Sequence, residues 1–239
     1  MKYQYRSRIR YSEIGEDKKL TLPGLVNYFQ DCSTFQSEEL GVGLDRLGER
    51  RRAWLLASWK IVIDRLPQLG EEIITETWPY NFKGFFGNRN FRMLDGEGKT
   101  LASADSAWIY LNVKSGHPCR VDEDVLAAYE MEEALPLGTF SRKISVPEES
   151  TEKDSFPVMR SHLDTNHHVN NGQYILMAEE YLPENFEVKQ IRVESRKAAV
   201  LHDIIVPFVN TAPQRCTVSL CGSDEKPFAV VEFSAETLQ

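Results

Sequence analysis

The chain has 239 residues, of which 41% are hydrophobic and 27% charged, and carries a formal net charge of -8. That balance suits a globular protein with a substantial core and excludes a disordered chain; it also excludes a general nucleic-acid binder, because neutralising phosphates needs clustered Lys and Arg. No window approaches the ~20 consecutive apolar residues of a membrane span.

The opening stretch, "MKYQYRSRIR", lacks an apolar signal core, and Cys32, Cys119, Cys216 and Cys221 show no paired metal-ligand spacing. A reducing cytoplasm is the expected location. In chain order, the first clear element is an amphipathic helix. Leu22, Leu25, Val26, Phe29, Cys32 and Phe35 recur at spacings of three and four, and Gly41 and Gly43 stop the pattern. The basic run "GERRRAW" follows, with Arg50, Arg51 and Arg52. It reads either as a solvated turn or as a docking patch for an acidic partner. Strand compositions come next, in "WLLASWKIVID", "EEIITETWPY" and "GNRNFRMLDGEGKTLASADSAWIYLNV", the last folded into a hairpin at "DGEG".

From about Ser161 the plan returns. "GQYILMAEEYL" predicts a second helix, and "QIRVESRKAAV", "HDIIVPFVN" and "RCTVSLCGSDEKPFAVVEFSAET" predict strands. "EEII" at Glu71 echoes "HDII" at His202, and "DGEGKTLASA" at Asp95 echoes "GSDEKPFAVV" at Gly222, as a duplication would leave them. The acidic, Pro-bearing stretch between is expected to be a linker, giving an N-terminal domain over 1–130, a linker over 131–155 and a C-terminal domain over 156–239. Each half has a helix too apolar for a surface and strands enough to wrap it, so the expected class is α+β. Two such helix-in-sheet units, with their sheets joined edge to edge, would leave an elongated apolar cleft suited to an alkyl chain.

The entrance to the second helix, "LDTNHHVNNG", is far more polar than a cap requires. Asp164, Asn166 and His168 alternate, so in an extended segment they share one side; in a helix Asp164 and His168 still share a face. Imidazole, carboxylate and amide beside a helix N-terminus are the parts for acyl transfer: a base for water and donors for an oxyanion. Thioesters fit, since a leaving thiol of pKa about 8.5 departs without strong acid assistance. Two plainer readings stand beside this one. The cluster satisfies loop backbone, or His162, Asp164, His167 and His168 ligate a metal.

"LDTNHHVNNGQYI", together with "PGLVNYFQD" and "IVIDRLPQLGEEIITETWP", resembles the acyl-ACP thioesterase family over nearly the whole chain. The resemblance implies a tandem pair of hotdog domains, hydrolysis of fatty acyl thioesters on acyl carrier protein, and no cofactor; no metal is expected from the residues themselves, because the Asn-rich surroundings favour hydrogen bonding. It puts the family's Asp, Asn and His on Asp164, Asn166 and His168, and suggests an acyl pocket in the first half, with Phe29 and Trp54 as lining or plain core. It also adds weight to Arg50, Arg51 and Arg52 as a docking site for the acidic carrier. Plant members carry a Glu-Cys pair after a Glu-x-Arg-Arg lead. Here the lead is "ESRK", Glu194 to Lys197, and Ala198 and Ala199 follow. Without that cysteine, water is the expected nucleophile, and Glu194 either supports catalysis or pairs with an arginine. A noncatalytic acyl-thioester-binding module and a hydroxyacyl dehydratase using Asp31, Glu38 or Glu39 are the rival readings. Chain-length preference, carrier against coenzyme A, and oligomeric state, a homodimer included, are not fixed by these residues.

Overall fold

The structure is a computed structural model that describes residues 2–138 and 141–237; Thr139 and Phe140, inside the expected linker, lie outside the described residues. The chain forms two units, Met1–Ala57 with Ile63–Gly138, and Ser58–Val62 with Thr139–Gln239. The strand over Arg52–Ile63 is therefore divided between them.

The first unit is built on α1 (Leu22–Glu39). Thr21 caps it, its Oγ1 accepting the Gly24 amide at 3.2 Å, and Pro23 sits in the first turn where its missing N–H costs nothing. Gly41, at φ 70°, takes the left-handed position that ends it. The apolar stripe read from the sequence is buried from Leu22 to Cys32, with Leu25, Val26, Phe29 and Cys32 fully enclosed, while Phe35 at its far end is exposed. Around it lie β1 (Tyr3–Arg8), β2 (Arg52–Ile63), β3 (Glu72–Lys83), β4 (Phe86–Asp95) and β5 (Thr100–Asn112), in the order β1-β3-β4-β5-β2. Two short pieces, α2 (Leu44–Glu49) and α3 (Glu123–Ala128), and a two-residue strand β6 (His117–Pro118) complete the unit. Phe29 stacks on Phe91 of β4 with ring centroids 5.3 Å apart. Arg89, two residues earlier on β4, is also buried, and burial pushes its guanidinium pKa down. Its hydrogen bonds go to Gln36 and to Thr77 Oγ1, and the Tyr129 ring lies 5.1 Å away.

Sequence reading assigned no strand to β1. Its signal is a period of two, "YQYRSR", in which alternate residues are half-buried while Gln4, Arg6 and Arg8 face water. It pairs antiparallel with β3 from Tyr3↔Thr77 to Arg8↔Glu72, and Tyr5 meets Phe35 of α1 at 5.2 Å.

The second unit repeats the plan. Two short strands, β7 (Thr151–Glu152) and β8 (Phe156–Pro157), precede α4 (Asn171–Glu179), and β9 (Gln190–Ser195), β10 (Ile204–Ala212), β11 (Arg215–Cys221) and β12 (Pro227–Ser234) follow. Its strand order runs from residues 58–62 of β2 through β9, β12, β11 and β10 to β7, with β8 beside the start of β10. The expected helix reached Leu182, but α4 stops at Glu179: Tyr181 and Leu182 bond back three residues, and Pro183 cannot continue the helix. The two echoed hairpins share one geometry. The Asp95 amide donates to the Lys99 carbonyl and the Gly222 amide to the Lys226 carbonyl, both at 2.9 Å. The left-handed residue is Gly98 (φ 85°) in one and Glu225 (φ 59°) in the other.

The cap of α1 gives a direct test. Thr21→Ala should lower unfolding stability by about 1 kcal/mol with the fold retained, read as a shift in urea midpoint without a change in slope; an unmoved midpoint would show that the cap is idle.

Candidate active site

Both helices are entered through the same turn. A single 3₁₀ turn, Tyr11–Glu13 or Arg160–His162, leads into a bridge, Ile14↔Leu20 or Leu163↔Val169, that closes a five-residue loop. In the first unit the Gly15 amide donates to the Lys19 carbonyl at 2.9 Å; in the second the Asp164 amide donates to the His168 carbonyl at 2.8 Å. Lys18 (φ 63°) and His167 (φ 61°) occupy the left-handed position. Thr21 and Asn170 then cap the helices through their side-chain oxygens. Gly15, Asp17 and Lys19 thus stand where the second unit has Asp164, Asn166 and His168.

This corrects the expected local geometry, because the segment is neither extended nor helical. Asp164 Oδ1 accepts the backbone amides of Asn166 (2.8 Å) and His168 (3.2 Å), so its contact with His168 is through the main chain. His168 is half-buried, and its Nδ1 is buried without a hydrogen-bond partner among the described residues. Asn166 and His167 are exposed. His162 Nδ1 accepts the Met159 amide at 3.0 Å, a local structural bond. Among the described residues no group of three or more His, Cys, Asp or Glu side chains is placed to hold a metal ion.

The turn is seated on the loop after β9. The Val169 amide donates to the Ala199 carbonyl at 2.9 Å, and His168 forms an isolated bridge with Val200. Ala199 therefore packs directly against the loop that carries the imidazole. Tyr174, which sequence reading passed over, locks the same place: it is buried on α4, and its hydroxyl oxygen accepts the Ala199 amide at 3.1 Å. Burial pushes its phenol up to about 12, the Ala199 amide opposes that shift, and the charges of Asp203 and Asp164 add to it. Its only sequence signal was membership of an apolar helix face, which core tyrosines share.

The remaining residues singled out from the sequence lie as follows. Glu194 Oε2 accepts the Ile144 amide at 2.8 Å and pairs with Arg196 at 2.9 Å, so this carboxylate fastens the segment before β7. Phe29 is fully buried in the first unit, and Trp54 packs on Tyr110 with centroids 4.7 Å apart. Arg50 bonds to Asp124 (2.5 Å) and Asp122 (3.4 Å), and Arg52 lies 3.5 Å from Asp122, so both are matched by carboxylates at the start of α3. Arg51 is exposed, at φ 56°.

A carboxylate, an amide and an imidazole on one five-residue turn, at the N-terminus of a helix, can take a proton from water and hold a developing oxyanion. The model of the acyl-ACP thioesterase N-terminal domain matches residues 1–129, and that of the C-terminal domain matches residues 145–210. A palmitoyl-acyl carrier protein thioesterase of Arabidopsis thaliana chloroplasts is 25% identical over 206 residues, 79% of this chain and 50% of that protein. The chain thus spans about half the length of such curated plant relatives. Among solved structures, an acyl-ACP thioesterase from Bacteroides thetaiotaomicron superposes with a TM-score of 0.88 at 20% identity, covering 98% of this chain and 97% of that one. The 12:0-ACP thioesterase from Umbellularia californica gives 0.85 at 16% identity, covering 98% and 96%. The fold is accordingly the tandem hotdog.

Tyr174 makes the seat of the turn testable by pH. A phenol whose folded pKa lies above its unfolded value of about 10 contributes stability that is whole below ~10 and is lost as pH rises through the folded value. The wild type should therefore lose about 2 kcal/mol more than Tyr174→Phe between pH 9.5 and 12. Denaturant titrations across that range measure the difference; parallel curves would remove Tyr174 from the account.

Proposed function

Because the chain belongs to the acyl-ACP thioesterase family, we propose that it hydrolyses fatty acyl thioesters carried on acyl carrier protein, with water as the nucleophile. His168 takes a proton from water as the water oxygen bonds to the thioester carbonyl carbon. The oxyanion is held by the Asn166 amide and the start of α4. On collapse the C–S bond breaks, the thiol leaves with the proton, and the free fatty acid departs. Asp164, whose Oδ1 spans two turn amides, holds the loop in shape and offers its other oxygen to the water.

The observation that carries this reading is the repeated turn. The first unit makes the same loop with Gly15, Asp17 and Lys19, so the backbone does not need an imidazole or a carboxamide at those positions. The second unit has them for another reason, and acyl transfer uses all three. The absence of a cysteine at Ala198 and Ala199, beside the loop, removes a covalent acyl-cysteine route there and favours water. The dehydratase reading draws no support from α1: Glu38 accepts the Leu44 amide at 2.7 Å, Glu39 accepts the Tyr3 hydroxyl at 2.5 Å, and Asp31 is exposed. An acidic carrier has Arg51 as the exposed member of the basic run. Four free cysteines fit a reducing, cytoplasmic setting. No helix among the described residues is long and apolar enough to cross a membrane.

The test is thiol release from acyl-ACPs of graded chain length. His168→Ala should lose at least about a hundredfold in kcat. Asp164→Gly, which imports the residue of the first turn, should keep the far-ultraviolet spectrum and lose activity. A His168→Ala enzyme with wild-type turnover would end the proposal, as would steady binding of acyl-ACP by the wild type with no thiol released.

A further inference from the structure

We propose that the second unit binds the phosphate group of a small molecule in a cleft on its sheet, at a place the thioesterase chemistry does not use. The cleft, about 960 Å³, is lined by alternate residues of five neighbouring strands. Antiparallel register puts Lys60, Arg192, Glu232, Thr217 and Asn210 in one row straight across β2, β9, β12, β11 and β10. A second row, two residues along, carries Gln190, Ser234 and Arg215. Their sequence neighbours Ile191, Val193, Val218, Val231 and Phe233 point to the opposite face and are buried and apolar. The segment 141–147 walls the cleft, held by Arg192, which donates to the carbonyls of Ser141 (2.7 Å) and Lys143 (3.3 Å).

Two features separate this cleft from an ordinary solvated face. Five polar side chains on its floor are buried: Lys60 and Gln190 are 1% exposed, Thr217 and Ser234 2%, and Glu232 5%. Three polar atoms of the lining are buried without a hydrogen bond among the described residues: Gln190 Oε1, Arg192 Nε and Ser234 Oγ. Buried polar atoms left in that state cost stability, and natural proteins keep them where something else uses them.

Charge identifies the user. Lys60, Lys143, Arg192 and Arg215 face Glu232 and Glu236, four positive charges against two negative, in a protein whose net charge is -8. Glu232 is already shared by Arg192 (2.9 Å) and Arg215 (3.7 Å), and Glu236 accepts from Gln214 (2.7 Å). The lining carries more cations than carboxylates, and the donors on hand, the Arg192 Nε–H, the Ser234 hydroxyl and the exposed Lys143 ammonium, suit a phosphate. Gln190 Oε1 is an acceptor, so it suits a hydroxyl or N–H on the molecule that bears the phosphate.

Isothermal titration with inorganic phosphate, ribose 5-phosphate and uncharged ribose tests the site. We expect saturable binding of one or both phosphates, none of ribose, and at least a tenfold loss of affinity in Lys60→Met and in Lys143→Gln. Lys143 is exposed on the wall segment, so its variant carries the test if the buried lysine proves essential for folding. Tighter binding of ribose 5-phosphate, lost in Gln190→Leu, would identify a phosphate ester; equal binding would identify free phosphate. Thiol release by Lys143→Gln should match the wild type, which separates this site from the thioesterase proposal. Absence of saturable binding for both phosphates, or affinities unchanged in both lysine variants, would overturn the inference.

Discussion

One backbone hydrogen bond, from the amide of Asp164 to the carbonyl of His168, fixes most of what the second unit can do. It closes a loop too short to relax, forces His167 into the left-handed region, and delivers Asn170 to the cap position of α4. Everything proposed for the site follows from that closure. Carboxylate, amide and imidazole are brought near one another by five residues of chain, without reliance on distant packing. The Asp164 side chain then reinforces the loop from inside by accepting two of its amides.

The first unit shows which part of this is architecture and which is chemistry. It has the same bridge, the same closing bond, the same left-handed residue and a capping hydroxyl, but a glycine, an aspartate and a lysine at the three positions in question. The two units therefore share the backbone of the turn while their side chains differ. In the second unit the loop also needs a seat, and the main chain after β9 supplies it through the Ala199 carbonyl and Val200. The Tyr174 hydroxyl satisfies the Ala199 amide that the seat would otherwise leave buried and unpaired. Two alanines at 198 and 199 let the loop lie close while offering no nucleophile.

The sheet itself is used on two faces with opposite rules. The face of β9, β11 and β12 that carries Val193, Val231 and Phe233 is apolar and sealed. The other face carries a buried polar grid that a fold seeking only stability would have filled with valine and isoleucine, since burial of apolar surface stabilises and unpaired polar atoms do the reverse. Glu194, Arg192 and Arg196 tie the segment 141–147 to the edge of that grid, and Glu194 pairs there with Arg196.

Much of the fold was present in local sequence. Helical spacing from Leu22 to Phe35, the "DGEG" hairpin and the twofold repetition of helix and strands depend on near-neighbour rules that the chain obeys wherever it goes. The candidate loop was legible too, because its polar residues are contiguous. Tertiary structure alone decided the rest. β1 reads as polar until β3 gives it a partner and α1 covers one side. Arg50 and Arg52 read as a docking run until Asp122 and Asp124, seventy residues on, take up their charge. Glu194 reads as a site carboxylate until the Ile144 amide reaches it. The polar grid was invisible because its members come from five strands spread between Lys60 and Ser234, and only the register of pairing places them in rows. Sequence fixes what each residue can do; strand register and loop docking, which join residues far apart in the chain, fix which partner it does it with.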